Sequence, residues 1–277
     1  MSQLSLALDT EDLAQYYEEV SANRQFRVGT ELVAALGIAP GERVLDVGSG
    51  TGLLAAHIAT LVQPGGTVTG IDPLPLRIAL ARQKNLANAR FEVGDANDLS
   101  AFASASFDVV LLNAVFHWLP EKRGPLHGFA RVLAPGGRLG ISTGSREHRG
   151  ALQTIKAEVL ARPPFNQYPQ ARDGVPHHIT AAELRDLLQE AGFIIRSLEI
   201  VPTRHLLPDG DAAVRFSEAS SFGNFLGHLP VQIREQARQA IVEELDRGRT
   251  DEGIVLGGAR VVAIAHTPSA DGAPAQA

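Results

Sequence analysis

The stretch 44–55 reads VLDVGSGTGLLA and decides the fold. A short apolar run leads through Asp46 into three glycines, Gly48, Gly50 and Gly52, and a helical pattern follows them. Glycines at a strand-to-helix turn let a ligand approach the main chain where a Cβ atom would clash. The N-terminus of the following helix adds free N–H groups and a partial positive charge. The stretch therefore predicts a nucleotide-like ligand held between a strand and a helix.

The spacing of these glycines separates two kinds of nucleotide site. A dinucleotide fingerprint needs the pattern Gly-x-Gly-x-x-Gly. This chain has Gly-x-Gly-x-Gly and places Leu53 where the third dinucleotide glycine belongs. Asp46 stands two residues before the first glycine, where it would face a cationic or hydroxyl-bearing ligand rather than a pyrophosphate. Both features disfavour a dinucleotide-dependent dehydrogenase.

Outward from this stretch, short apolar runs alternate with helical patterns, which predicts parallel strands joined by crossover helices. The strands are predicted at 43–47, 67–72, 90–94, 108–113, 138–143, 193–202 and 259–267. The helices are predicted at 10–22, 27–36, 52–61, 74–85, 121–133, 150–161, 181–191, 211–226 and 232–247. The pattern is that of an α/β protein.

The composition narrows the class of protein. The chain of 277 residues carries a net charge of −6 and no basic block, so the electrostatic signature of a nucleic-acid-binding protein is missing. It contains no cysteine, which excludes a disulfide framework, a thiolate metal site and a cysteine nucleophile, and which fits a reducing compartment. It shows neither a signal-peptide pattern nor a run of about 18 apolar residues. We therefore expect a cytoplasmic protein with no membrane span.

Five motifs in order resemble those of the class I S-adenosylmethionine-dependent methyltransferases, in their small-molecule branch. The motifs are LDVGSGTG (45–52), GID (70–72), GDA (94–96), LLNAVFHWL (111–119) and LAPGGRL (133–139). The resemblance implies a Rossmann-like α/β fold: a doubly wound, seven-stranded, mostly parallel sheet with an antiparallel final strand, plus a helical lid and insertion. It also implies an N-terminal helical lid (1–37), a cofactor-binding core (38–145), the remaining core strands with helices of the substrate pocket (146–267), and a flexible tail (268–277).

The resemblance implies a binding site for S-adenosylmethionine made of Asp46, Gly48, Ser49, Gly50, Thr51, Gly52, Asp72, Pro73, Asp95, Ala96 and Asn113. Asp46 and the glycine turn would hold the methionine half of the cofactor. Asp72 would accept from the ribose hydroxyls, although it could instead cap the next helix. Asp95 would accept from the adenine amino group, with Ala96 supplying a backbone N–H, or it could be a simple loop acid. Asn113 would present its carbonyl to the cofactor's ammonium, or serve only in a turn.

His117 and Trp118 follow the fourth strand directly and would overhang the transferred methyl group. His117 could take a proton from the acceptor, or it could only pack or contact the cofactor, since a carboxylate or another ready anion needs no base. Trp118 offers an apolar wall and an N–H donor. Tyr16 and Tyr17 lie on the helix that often forms a lid in this family, so either one could contact the substrate. His177 and His178 lack further ligands at metal spacing, and no metal site is predicted.

Missing parts exclude several acceptor classes. The Asn/Asp-Pro-Pro-Tyr/Phe run of the DNA amino-methyltransferases is absent, since 113–116 reads NAVF. Base C5 methylation and thiol-dependent arsenite methylation need cysteine, and acids of a metal-dependent catechol site are absent from 111–120. A paired-glutamate loop of arginine methylation is also absent. We therefore expect a metal-independent enzyme for a small molecule, such as a natural-product intermediate or a carboxylic acid, with O-methylation favoured over N- or C-methylation.

One alternative hypothesis assigns the chain to a different class of protein. A non-catalytic S-adenosylmethionine-binding module that regulates or scaffolds a partner would need the same glycine turn. The complete motif set argues against it, because a retired site would tolerate loss of Asp46 or Asp72. The oligomeric state is left open between monomer and homodimer.

Overall fold

A computed structural model describes residues 23–148, 150–168, 176–220 and 226–269. Compactness divides the chain between two units. Among the described residues, the core unit contains 23–144, 176–200 and 261–269, and the helical unit contains 145–148, 150–168, 201–220 and 226–260. The predicted helix at 10–22, with Tyr16 and Tyr17, lies outside the described residues.

Seven strands form a sheet in the order β3-β2-β1-β4-β5-β7-β6. Their bounds are β1 Arg43–Val47, β2 Thr67–Asp72, β3 Ala89–Val93, β4 Phe107–Asn113, β5 Leu133–Gly144, β6 Ile194–Leu207 and β7 Ile254–His266. β1 pairs in parallel with β2 and β4, β2 with β3, and β4 with β5. The prediction of a seven-stranded, mostly parallel sheet with an antiparallel final strand is confirmed.

Three strand boundaries differ from the predicted ones by more than one residue. β5 begins at Leu133 rather than at residue 138, because Leu133 pairs with Phe107 across a register shift in β4. β6 continues to Leu207 and β7 begins at Ile254. In β6 the polar residues 203–205 interrupt the apolar pattern, so the sequence signal stops before the strand does.

Eight helices are described. They are α1 Asn23–Leu36, α2 Leu53–Leu61, α3 Pro75–Gln83, α4 Arg123–Val132, α5 Ala151–Leu160, α6 Ala181–Glu190, α7 Gly210–Ser220 and α8 Val231–Asp246. Local signals account for several of their first residues. Pro75 occupies the first turn of α3, where its missing N–H costs nothing, and Thr180 and Glu183 form a capping box at the start of α6.

The core unit buries both faces of its sheet, as a doubly wound fold requires. On β4, Val109 and Leu111 pack with side chains of α1, α2 and α3, whereas Val110 and Leu112 pack with those of α4 and α6. All four side chains are fully buried. Burial of each stabilises the fold by about 1.5–3 kcal/mol. The two apolar layers hold the strand ends, and therefore the site, in fixed positions.

The helical unit has its own apolar cluster, built by α5, α7 and α8 and by a 3₁₀ turn at Phe165–Gln167. The buried face of α5 consists of Leu152, Lys156 and Val159. Lys156 therefore occupies a core position of an amphipathic helix, and only 7% of its surface is exposed. Among the described residues, no helix combines the length and the apolar character needed to cross a bilayer.

Candidate active site

The candidate site lies at the carboxyl edge of the sheet, where β1, β2 and β4 end. β1 is flanked by β2 and β4, so the strand order reverses at this point. Ligands of open α/β sheets bind in the crevice at such a position. The structure thus brings together the ends of three predicted motifs, with Asp46 on β1, Asp72 at the end of β2 and Asn113 at the end of β4.

The glycine turn between β1 and α2 uses the backbone freedom of all three glycines. Gly48, Gly50 and Gly52 have φ angles of 74°, 56° and 81°, in the left-handed region that favours glycine. The N–H groups of Gly48 and Ser49 donate to the carbonyl of Ile71 at 2.7 and 2.9 Å. The turn is therefore fixed to β2 before it enters α2.

Gly48 is also required for space. A Cβ atom at Gly48 would lie 2.2 Å from Cγ2 of Val115, a distance at which the neighbour must move. Val115 stands between Asn113 and His117, so the loop after β4 packs directly on the glycine turn. The close approach of these two segments defines the floor of the site.

Asp72 holds the glycine turn from the side of β2. Its Oδ2 accepts from the N–H of Gly50 at 3.0 Å, and its Oδ1 accepts from the N–H of Leu74 at 3.0 Å. The second bond forms a local turn, and because Leu74 is the N-cap residue of α3, the alternative in which Asp72 caps that helix is not observed. The first bond reaches across to the neighbouring motif. The carboxyl group is 4% exposed. Pro73 lies between Asp72 and Leu74, the residue that directly precedes α3.

Asp46 carries a buried oxygen without a hydrogen-bond partner among the described residues. The residue is 2% exposed and its Oδ2 is the unpaired atom. Burial, and secondly the nearby charge of Asp72, raise the pKa of Asp46 to about 7. A buried acceptor without a donor costs about 1–3 kcal/mol. Such an atom is suited to a ligand that brings N–H donors and positive charge.

Asn113 presents a second buried acceptor two residues beyond the Leu111 partner of Asp46. Its Nδ2 donates to the carbonyl of Gln25 in α1 at 2.8 Å, which fixes the orientation of the amide. Its Oδ1 is buried and has no partner in the described part of the chain. The hydroxyl of Ser49 in the glycine turn is in the same condition. Three unpaired polar atoms thus belong to the ends of β1 and β4.

The third motif lies beside β2. The N–H of Gly94 donates to the carbonyl of Asp72 at 3.1 Å. Asp95 is exposed and accepts from the N–H and the side-chain amide of Asn97 at 2.9 and 2.7 Å, while Ala96 is buried. The loop role that was the alternative for Asp95 is therefore observed, and a role toward a ligand stays a prediction. Thr51 is buried in the glycine turn.

His117 and Trp118 form a 3₁₀ turn directly after β4, with their rings 5.1 Å apart. His117 Nδ1 lies 3.1 Å from Oγ1 of Thr143. Burial, and to a lesser degree His178 and Lys122, lower the pKa of His117 to about 3. The imidazole is neutral at physiological pH. It is therefore available as a polar contact rather than as a charge.

Four residues around His117 were not identified from the sequence in these roles. Thr143 and Gly144 end β5, and His178 stacks its ring over Gly144, with its centroid 5.4 Å from that of His117. Lys122 donates to the carbonyl of Leu119 at 2.6 Å. The adjacent histidines at 177–178 are visible in the sequence, but their contact with β5 depends on a sequence separation that no local pattern reveals.

No cluster of three or more histidine, aspartate or glutamate side chains with metal-binding geometry occurs within 23–148, 150–168, 176–220 and 226–269. Tyr16 and Tyr17 stay predictions, because they lie outside those ranges.

Known proteins match this chain over its core. The sequence profile of a family described as "Methyltransferase domain" matches residues 38–192. A Halobacterium salinarum protein named arsenite methyltransferase is 33% identical over 213 residues, which are 73% of this chain and 48% of that protein. A Xanthomonas axonopodis pv. citri protein named ubiquinone biosynthesis O-methyltransferase is 34% identical over 169 residues, 60% of this chain and 68% of that protein. The chain spans about half the length of the first relative and about two thirds of the second.

A solved structure shares the fold. It is Haemonchus contortus phosphoethanolamine N-methyltransferase 2 in complex with phosphomonomethylethanolamine and S-adenosylhomocysteine, with a TM-score of 0.56 and 18% identity. The match covers 88% of this chain and 53% of that chain.

Proposed function

The chain belongs to the methyltransferase domain family, and from this premise we propose that it transfers a methyl group from S-adenosylmethionine to an oxygen atom of a small organic molecule. The family profile covers more than half of the chain. S-adenosylmethionine is the cofactor of this family. The observation that carries the proposal is the pair of buried, unpaired acceptors on Asp46 and Asn113 beside a bare glycine turn.

The residues at the carboxyl edge fit this cofactor. Asp46 Oδ2 and Asn113 Oδ1 have no donors among the described residues, and the cofactor's ammonium would supply them. The glycine turn would admit the methionine chain, and Asp72 would accept from the ribose hydroxyls. Asp95 and Ala96 would contact the adenine ring. When bound, the cofactor supplies an electrophilic methyl group on a good sulfonium leaving group.

An oxygen acceptor is favoured by the residues that follow Asn113. His117 and Trp118 present a neutral imidazole and an indole at the end of β4, and both are side chains that contact an organic ring or an oxygen. Among the relatives, the Xanthomonas protein carries the name of an O-methyltransferase. We propose a carboxylic acid or a natural-product intermediate as the acceptor, in a cytoplasmic enzyme that acts as a monomer or homodimer without a nucleic-acid or membrane partner.

Arsenite is not the acceptor that we propose, although the Halobacterium relative is named for it. Arsenic(III) is a soft centre that prefers thiolate ligands. This chain has no cysteine in its 277 residues. A site built of imidazole, indole and hydroxyl groups suits a hard oxygen nucleophile instead.

Calorimetry with S-adenosylhomocysteine tests the cofactor site. We expect micromolar binding and no binding of NAD. Asp72→Ala should weaken the affinity about tenfold to a hundredfold, because a hydrogen bond to a charged group contributes about 1.5–3 kcal/mol. Asp186→Ala, at an exposed position of α6, is the matched control and should leave the affinity unchanged.

Transfer of a radiolabelled methyl group then tests the reaction on carboxylic acids, phenols and arsenite. Consumption of an oxygen acceptor supports the proposal. Binding of S-adenosylhomocysteine without transfer to any acceptor would instead favour the non-catalytic module. Transfer to arsenite would contradict the proposed acceptor class.

A further inference from the structure

A backbone hydrogen bond and two neighbouring rings fix the position of the His117 side chain. Its carbonyl accepts from the N–H of His177 at 2.6 Å, which ties the 3₁₀ turn after β4 to the loop before α6. The rings of Trp118 and His178 lie 5.1 and 5.4 Å from its own. A side chain held in this way presents one defined edge.

The Nδ1 edge of His117 is already occupied. Nδ1 lies 3.1 Å from the hydroxyl of Thr143 and 3.5 Å from the main-chain nitrogen of Gly144. A main-chain N–H can only donate, so a proton on Nδ1 would point at another proton. The hydrogen-bond partners therefore assign the neutral ring its proton on Nε2.

The charges around the ring preserve this state. His178 faces it from the loop before α6 and Lys122 from the turn before α4, and both lower the pKa of His117 in addition to burial. The carboxylates of Glu121 and Glu183 raise the pKa of Lys122, against the larger lowering by burial. Protonation of His117 would place a second cation among these groups, so the neutral Nε2–H form is stable across the physiological range.

From this geometry we infer that His117 donates a hydrogen bond from Nε2–H to the acceptor oxygen and does not remove a proton from it. The inference rests on the proposed function and deepens it by naming the acceptor class. Because His117 then takes no proton, the acceptor oxygen that it holds must arrive already ionised, as a carboxylate or an acidic hydroxyl. His117 is the catalytic residue in this scheme, and Thr143, Gly144 and His178 are positioning residues.

The step balances without a proton. One lone pair of the acceptor oxygen accepts from Nε2–H, which orients the oxygen, and another forms the bond to the methyl carbon. The electron pair of the sulfur–methyl bond returns to sulfur. The products are the methyl ester or ether and S-adenosylhomocysteine, and no proton is released.

Nitrogen-15 NMR of the histidine-labelled full chain with S-adenosylhomocysteine tests the tautomer without any acceptor. We expect the His117 spin system, assigned by its loss in His117→Gln, to show a protonated Nε2 and an unprotonated Nδ1 from pH 8 down to pH 5. A proton on Nδ1, or protonation of both nitrogens between pH 6 and 7, would overturn the inference. Failure of S-adenosylhomocysteine to bind would instead count against the proposed function.

Two matched substitutions separate a donor from a base. The amide N–H of His117→Gln reaches the place of Nε2, and that of His117→Asn reaches the place of Nδ1. With saturating S-adenosylmethionine and a carboxylate or phenol that the transfer assay identifies as an acceptor, we expect His117→Gln to retain transfer within about tenfold of wild type. His117→Asn should lose about tenfold to a hundredfold more.

A role for His117 as a general base predicts a different pattern. All substitutions would then lose about a hundredfold or more, and a neutral phenol would react with a kcat/KM that stays level between pH 6 and 8.5. As a donor, His117 leaves the phenol to ionise by itself, so we expect kcat/KM for a phenol to rise about tenfold per pH unit up to the phenol's own pKa. Equal loss in His117→Gln and His117→Asn with intact S-adenosylhomocysteine affinity would contradict the donor role.

Discussion

The core unit and the helical unit both bury charged side chains, but in different settings. In the core unit, Asp46 and Asp72 stand at strand ends beside main-chain N–H groups and a glycine turn, where a cofactor would complete their contacts. In the helical unit, Lys156 stands in the apolar stripe of α5 between Leu152 and Val159. The first setting belongs to a recognisable sequence motif, whereas the second departs from the strong tendency of lysine to stay exposed. Buried charge therefore marks a recognisable site only where the backbone around it is specialised as well.

The largest effect should come from Gly48, where the backbone of the core unit is most specialised. Gly48→Ala should lower the free energy of unfolding by about 3–4 kcal/mol, through left-handed strain of about 1–2 kcal/mol and overpacking against Val115. Gly37→Ala is the matched control, because it has φ 59° and open space around its Cβ position. It should cost about 1 kcal/mol. Urea unfolding measures both, and equal losses would show that the contact with Val115 is unimportant.

Lys156 tests how much a buried charge destabilises the helical unit. Burial lowers its pKa from 10.5 to about 8, so between these values the unfolded chain binds more protons and the stability of the wild type rises with pH. Lys156→Met should therefore stabilise the protein by on the order of 3 kcal/mol at pH 7, at about 1.4 kcal/mol per pKa unit. The gain should shrink as the pH approaches 10.5.

Thermal unfolding at a series of pH values measures this difference. Lys84→Met, just after α3, is the control and should give no comparable gain. A loss of stability in Lys156→Met at every pH would show that the ammonium has a role in the fold that outweighs its burial.

In the core unit, the buried charge of Asp46 should favour ligand binding while it destabilises the ligand-free protein. Its pKa of about 7 lies above the ordinary value, and a cationic ligand stabilises the ionised form, so affinity for S-adenosylhomocysteine should fall by up to about tenfold per pH unit below pH 7. Asp46→Asn should bind about tenfold to a hundredfold more weakly at pH 8. Its affinity should not vary with pH in this way.

The ligand-free protein should respond in the other direction. The wild type binds more protons folded than unfolded between the ordinary carboxyl pKa and pH 7, so its stability falls as the pH rises through that window. Asp46→Asn should therefore raise the melting temperature at pH 7 while weakening binding. A variant that lost both stability and affinity would contradict the raised pKa.

The smallest effect concerns a feature without a functional role. Thr180→Ala removes the capping box of α6 and should lower the free energy of unfolding by about 1 kcal/mol, with affinity for S-adenosylhomocysteine unchanged. Thr154→Ala, exposed on α5, should change stability by less than about 0.5 kcal/mol. A loss of cofactor affinity in Thr180→Ala would extend the site to α6.

Local sequence accounts for most of the core unit. β1 and β2 match their predicted bounds because each is a short apolar run that ends at an acid or glycine. Asp46 and Gly48 could be predicted because their chemistry depends on neighbours a few residues away. The early start of β5 could not, since it depends on pairing between Leu133 and Phe107.

The rest of the site depends on contacts between distant segments. His178 packs on Gly144, and Thr143 contacts His117, across sequence separations that carry no periodic signal. Lys156 reads as a surface residue in the sequence, and only the packing of α5 reveals that it is buried. The fold and the glycine turn are thus properties of local patterns, whereas the surroundings of His117 are a property of tertiary structure.

Because the ring of Trp118 lies beside that of His117, the intrinsic fluorescence of the protein can report on the state of this histidine. Trp118 is the single tryptophan of the chain, so intrinsic emission comes from one indole whose ring lies 5.1 Å from the imidazole at the end of β4. An imidazolium quenches indole emission more strongly than a neutral imidazole does. The emission of the unlabelled protein therefore reports on the protonation of His117, and under the proposed function it should also change when an acceptor binds beside the ring.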